Sequence, residues 1–168
     1  MGRNSIFIAA ALACALASCQ NPLSKAIPND GQWILAAPDS FELLSLDPSH
    51  DNFDPGAPGT MHGYRILGST KIADATQRQQ LREVLYDAIR HNDGAVTACF
   101  NPRHGIRATR GGKSIDLIIC FQCRSMESYI NGTSTSAIIS DKPRSQYEDA
   151  IKNAGLPIAG TDGAPLSN

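Results

Sequence analysis

The tetrapeptide Arg110-Gly111-Gly112-Lys113 constrains this chain more than any other feature. It stands between Gly105–Thr109 and Ser114–Phe121, two runs that read as strands. A Gly-Gly pair supplies the two positive φ angles of a primed two-residue turn, and such a turn closes an antiparallel hairpin. Side chains change face at every residue, so a turn closed on Arg110 and Lys113 sets every partner downstream. Thr109 meets Ser114, Arg107 meets Asp116, Gly105 meets Ile118, and Arg103 would meet Cys120. Ala108, Ile106, Ile115, Leu117, Ile119 and Phe121 form a core face that also takes His104. Arg103, Arg107, Asp116 and Cys120 share the opposite, polar face.

Other elements follow from local signals. Phe41–Leu46, Gly63–Ser69 and Ala95–Phe100 read as strands, and Glu127–Ile130 as a short edge strand. Gly132–Ser136 is polar and loop-like. Asp74 is an N-cap with Gln77 as its capping-box partner, and Leu81, Val84, Leu85, Ala88 and Ile89 recur at helical spacing. A helix is therefore expected over 75–92, with Arg90 and His91 in its last turn and Gly94 as its stop. A second helix begins near Pro143, bears Tyr147, Ala150, Ile151 and Ala154, and ends at Gly155 and Pro157. The order β-β-α-β-β-β-α predicts an α+β domain: an antiparallel sheet of about five to six strands with two helices on one face. The domain is expected over 37–160. Residues 19–36, with Asn21, Pro22, Pro28, Asn29 and Asp30, read as a flexible spacer, and 161–168 as a flexible tail.

The N-terminus is organised differently. After Arg3, the twelve residues Ile6 to Ala17 carry no charge. That is too short for a bilayer span, which needs ~20 residues, but it suits the apolar region of a signal peptide. The run ends Leu16-Ala17-Ser18-Cys19. This order resembles the signal of bacterial lipoproteins, cut just before a cysteine that then receives a diacylglycerol. The resemblance implies that Met1–Ser18 is removed and that Cys19 is the lipidated residue. Each buried CH₂ of the acyl chains adds ~0.8 kcal/mol, enough for stable anchoring without a span. Cys14, after Ala11-Leu12-Ala13, is a poorer version of the same site. By resemblance to Gram-negative sorting, Gln20 rather than Asp after Cys19 implies the outer membrane, on its periplasmic side.

Three more cysteines lie close together. The spacing Cys99-x4-His104-x15-Cys120-x2-Cys123 suits a four-ligand zinc site, although no turn former follows Cys123. A redox C-x-x-C wants a helix N-terminus to lower the thiol pKa, whereas this pair ends an apolar strand. For an exported protein a disulfide is the stronger expectation. The hairpin brings the end of the second strand near Cys99. In a continuing strand Cys120 and Cys123 point to opposite faces, which favours a link from one of them to Cys99 over a bridge between them. The third thiol is left over beside Arg124.

The segments CFNPRHGIR and SIDLIICFQC, with FELLSLDP and HGYRILG, resemble a family of small exported bacterial proteins of uncharacterised function. The likeness runs to about Pro157. It implies a single domain, draws attention to Cys99, Arg103, His104, Cys120 and Cys123, and lends no catalytic residues.

Charge narrows the functional classes. Fifteen Lys and Arg against sixteen Asp and Glu leave −1, so there is no basic footprint for nucleic acid. Residues 100–124 nevertheless hold five basic side chains against one acidic, while 30–60 hold six acidic and none basic. That asymmetry draws the N-terminal arm over the sheet, or leaves Arg103 and Arg107 as an anion-binding patch. An Arg107–Asp116 ion pair is the simpler use of those two residues. Gly111-Gly112-Lys113-Ser114 mimics the end of a phosphate loop, but Arg107 stands where its first glycine belongs and no helix follows. His50, His62 and His91 are scattered, and no nucleophile-elbow context exists. The expectation is a membrane-anchored protein with a binding or structural domain for a protein or small ligand, and no cofactor. A zinc-binding or thiol-redox module is the alternative.

Overall fold

The computed structural model describes residues 21–49 and 56–160. The expected signal segment 1–18, the Cys19 anchor and the tail 161–168 lie outside the described residues, as does His50.

Seven strands make one antiparallel sheet: β1 (Ser40–Asp47), β2 (Thr60–Met61), β3 (Tyr64–Lys71), β4 (His104–Arg110), β5 (Lys113–Cys120), β6 (Ser125–Ile130) and β7 (Thr133–Ile138), in the spatial order β2-β3-β1-β4-β5-β6-β7. Four helices accompany them: α1 (Pro22–Ala26), α2 (Asn29–Ala36), α3 (Ala75–Arg90) and α4 (Arg144–Asn153). The class is α+β, with more strands and helices than the sequence suggests.

The β4–β5 hairpin takes the register its turn dictates, from Arg110↔Lys113 through Arg107↔Asp116 to His104↔Ile119. It ends there, so Arg103 does not enter the ladder opposite Cys120. Two further hairpins use the same device. His62-Gly63 and Asn131-Gly132 hold φ of 50° and 92°, and 51° and 75°. Both are primed-type turns that match the twist of the strands they join.

Helix α3 starts where expected, with Asp74 Oδ1 accepting from the Gln77 N–H at 2.7 Å. Its stripe of Leu81, Leu85, Ala88 and Ile89 is buried on the sheet. α4 is tied to it by the Tyr147 hydroxyl, which donates to the Leu81 carbonyl at 3.0 Å.

Three expectations are corrected. Residues 21–36 are no flexible spacer: Leu23, Ala26, Ile27, Ile34 and Leu35 are buried in the main core, so the folded body begins before residue 37. Asn21 caps α1 and Pro22 occupies its first turn, where a missing N–H is harmless. Ala95–Phe100 is not a strand, because it has no ladder partner. Residues 133–138 are a strand, paired to β6 from Ile130↔Thr133 to Ser125↔Ile138.

The sheet is curled. β1 shifts register between Ser45 and Leu46 where it pairs with β3, and such a bulge sharpens the local bend. The β2–β3 hairpin thereby folds over the face away from the helices, and a second cluster forms there from Leu44, Leu46, Met61, Tyr64 and Ile118. Gly105 leaves room for Met61: a Cβ on Gly105 would stand 2.8 Å from the Met61 sulfur. Cys120, expected on a polar surface, is buried on this face at 1% exposure.

Candidate functional site

Two groups of side chains gather at this curled face. The first is the cysteine turn. After β5 the backbone turns at Phe121–Arg124, with Arg124 N–H donating to the Phe121 carbonyl at 3.2 Å and Arg124 at φ 58°. The strand therefore does not continue through Cys123, contrary to the sequence expectation. The turn brings Cys123 to Cys99, and the two form a disulfide with Cα atoms 5.7 Å apart. This bond fastens the 91–103 segment to the β5–β6 corner. An Arg124–Asp93 ion pair at 2.8 Å fastens it again.

Cys120 is the free thiol among the described residues. It donates to the Asn101 carbonyl at 3.3 Å and accepts from the Cys123 N–H at 3.1 Å. Burial pushes its pKa up, against the opposing effect of those hydrogen bonds. Protonated and enclosed, it is a poor nucleophile.

His104 does not join the thiols. It projects to the helix side of the sheet, edge-on to Phe121 (5.2 Å between ring centroids) and Tyr147 (6.0 Å). Burial drives its pKa down to about 4, so the ring is neutral at neutral pH. Neither ring nitrogen has a hydrogen-bond partner among the described residues. The four zinc candidates thus divide: two are bonded to each other, one is buried beside them, and His104 lies across the sheet.

Arg103 is buried and occupied. Its Nε and Nη2 donate to the carbonyls of Ala159 and Gly160 (3.0 and 2.8 Å), and its Nη1 donates to Gln122 Oε1 at 2.7 Å. It clamps the C-terminal segment and does not share an anion patch with Arg107. The acidic arm instead lies along the basic hairpin: Asp30 pairs with Lys113 at 3.1 Å, Asp39 accepts from the Gly111 N–H at 2.8 Å, and Glu42 stands opposite Arg107.

The second group centres on Asp116. Arg107 grips its carboxylate through two bonds of 2.9 Å, and His62 Nε2 lies 2.9 Å from Oδ2. The His62 ring stacks on Tyr129, with centroids 3.7 Å apart and planes 12° from parallel. The Tyr129 hydroxyl donates to Glu127 Oε2 at 2.5 Å. Desolvation, then this carboxylate, push the Tyr129 pKa up. Sequence reading set His62 aside as a scattered histidine. The detectable signal was the His62-Gly63 turn, which places an imidazole at the tip of a hairpin. Three donor contacts nearly fill the acceptor capacity of Asp116. Chemically the group is a latch: it holds the curled hairpin down on β5 and β6.

Comparison with protein-family models, curated proteins and solved structures finds no match for this chain.

Proposed function

We propose that this is an exported, lipid-anchored envelope protein whose α+β domain binds a protein or small ligand, or braces the envelope, rather than catalysing a reaction. The Cys99–Cys123 disulfide carries the reading, because such bonds persist in oxidising compartments outside the cytosol. The basic start, apolar run and Leu16-Ala17-Ser18-Cys19 supply the route and the anchor. No described helix is long and apolar enough to cross a membrane. In a Gram-negative envelope, Gln20 beside the anchor directs the protein to the outer membrane. Cys19→Ser removes the thiol that is alkylated. The variant is expected to be uncleaved or soluble and to lose incorporation of labelled palmitate, and a variant that still takes up the label refutes the anchor.

A second reading, thiol exchange, is favoured by one observation. Cys120 and Cys123 both hydrogen-bond the Asn101 backbone, which sets a thiol beside a disulfide sulfur. Once Cys120 gives up its proton, attack by its thiolate on Cys123 would form Cys120–Cys123 and release the Cys99 thiolate, which takes up a proton, so exchange would be slow near neutral pH. Peptide mapping after incubation in a thiol buffer separates the readings: a stable Cys99–Cys123 bond supports the first, and a mixture supports exchange. Zinc binding would require this bond to be reduced, and metal analysis of the reduced protein tests it.

A further inference from the structure

The helix side of the molecule has an unusual edge. Trp33 of α2, the single tryptophan of the chain, is 45% exposed although most large apolar side chains around it are buried. It is held in place rather than left loose. The Arg110 guanidinium sits 4.2 Å from its ring centroid, and Arg110 Nη1 donates to the Trp33 carbonyl at 2.7 Å.

Beside it runs an open groove of about 520 Å³ between α2 and α3, whose lining includes Leu23, Trp33, Arg82, Tyr86 and Arg90. Arg82 is paired with Glu83 and also donates to the Leu35 and Ala36 carbonyls. Arg90 lies against the Tyr86 ring at 5.6 Å and has no carboxylate partner among the described residues. The Tyr86 hydroxyl is buried without a hydrogen-bond partner among them. The groove lining carries two guanidinium groups, Arg82 and Arg90, and one carboxylate, Glu83, which Arg82 already pairs. A half-buried indole among arginines is the composition of a water–lipid boundary, where an amphipathic ring sits at headgroup level and cations meet phosphates.

Chain geometry says what meets this surface. Leu23 lines the groove, and its N–H is capped by the Asn21 side chain at 3.0 Å. Cys19 precedes Asn21 by two residues, so their Cα atoms are at most about 7 Å apart. A lipid on Cys19 is therefore joined almost directly to the groove.

We propose that the groove between α2 and α3, rimmed by Trp33, Arg82 and Arg90, is the surface that the anchor presses against the bilayer, where it takes phospholipid headgroups. This rests on the lipid-anchor reading above. Trp33 is the interfacial residue, and Arg90 is the guanidinium available to a headgroup phosphate. The domain has one orientation on the membrane, helices inward and the His62 turn outward.

The lone tryptophan makes the test direct. The full-length protein, processed in cells and extracted in detergent, is reconstituted into phosphatidylethanolamine/phosphatidylglycerol vesicles. A matched set carries bromine on the upper acyl chain. Flotation reports the anchor and Trp33 emission reports the orientation. The expected result is co-flotation, a blue-shifted emission, loss of about half the emission in brominated vesicles, and protection from aqueous iodide. Arg90→Glu should float equally well and show weaker bromine quenching. Co-flotation with Trp33 still open to iodide and untouched by bromine overturns this inference and leaves the anchor standing. Failure to float, matching Cys19→Ser, overturns the anchor and the inference with it.

Discussion

Replacing Gly105 by alanine tests the curl of the sheet, which places every residue of the concave face. The added methyl would stand 2.8 Å from the Met61 sulfur, 3.3 Å from Leu46 Cδ1 and 3.4 Å from Leu44 Cβ. The first contact is roughly 1 Å shorter than a favourable nonpolar separation. Met61 is fully buried, so its thioether can move only by disturbing its neighbours. Overpacking of this kind typically costs ~1–3 kcal/mol. Alanine also restricts the unfolded chain and recovers ~0.5–1 kcal/mol relative to glycine. Gly105→Ala should therefore destabilise by roughly 1–2 kcal/mol.

Met61→Ala alone should cost ~2–5 kcal/mol, because it removes a buried side chain and leaves a cavity. In that background the contact with sulfur has gone, the vacated space lets Leu46 Cδ1 yield from its 3.3 Å contact, and the backbone effect remains. Adding Gly105→Ala there should stabilise by about 0.5 kcal/mol, which reverses its sign. Urea midpoints of the four proteins, followed by far-ultraviolet circular dichroism with a common m-value, measure the cycle. Equal effects of Gly105→Ala in both backgrounds, within about 0.5 kcal/mol, would mean that Met61 does not lie over Gly105. The hairpin that carries His62 would then be elsewhere.

Two further outcomes follow from buried groups. Cys99→Ser opens a bond that spans 24 residues and should lower stability by ~3 kcal/mol in the chain-entropy model, read from urea midpoints of the oxidised proteins; a change under 1 kcal/mol would mean that the reduced chain is already held closed at this corner. His104 has its folded pKa at about 4, below the ordinary value of 6.5, so between those values the unfolded chain binds a proton that the folded chain refuses. Stability from this group is complete above pH 6.5 and declines as pH falls toward 4, by roughly 3 kcal/mol in all. His104→Phe should flatten that part of the pH profile, and an unchanged slope would place its origin in the carboxylates.

The hairpin of β4 and β5 and the helix α3 were legible because each is specified locally, by a Gly-Gly turn in one case and by a capped apolar stripe in the other. α1 and α2 were not. They are 5 and 8 residues long, too short to show a convincing period, and their prolines and asparagines read as loop. In α1 Asn21 is the cap and Pro22 lies in the first turn, while in α2 Pro28 stands at the cap and Asn29 opens the helix, and only the buried Leu23, Ile27 and Ile34 decide for helix over loop. β7 was lost because Thr133-Ser134-Thr135-Ser136 has no apolar face, as befits an edge strand. Asn131-Gly132, the strongest short hairpin signal, marks its start. Taken as a turn, it pairs Ile130 with Thr133 and makes 133–138 a strand, whereas the Asp116↔Tyr129 pair depends on the unforeseen turn at Phe121–Arg124 between β5 and β6. The His62 contact could not be reached that way. It joins the turn of an edge hairpin to strands on the far side of β1 and β4, and only the curl brings them together.

If Cys19 carries the proposed lipid, the short reach of that anchor decides which face of the sheet is left free. A long spacer would let a lipidated domain tumble and present any surface. Asn21 caps α1 only two residues after Cys19, so with the proposed lipid on Cys19 the surface around Leu23 and Trp33 would stay near the bilayer. The sheet stands between that surface and the row Glu42, Arg107, Asp116 and Tyr129, which crosses four adjacent strands in continuous register. Arg107 and Asp116 are paired with each other and Glu42 accepts from the Ser69 hydroxyl, so a partner docking there would read the row by shape and by the exposed edges of Arg107 and His62 rather than by a bare charge. A ligand that carries one strong charge would have to break the grip on Asp116 first. Within the proposed binding role, a neutral or mixed-charge protein surface would suit this face better than a small ion.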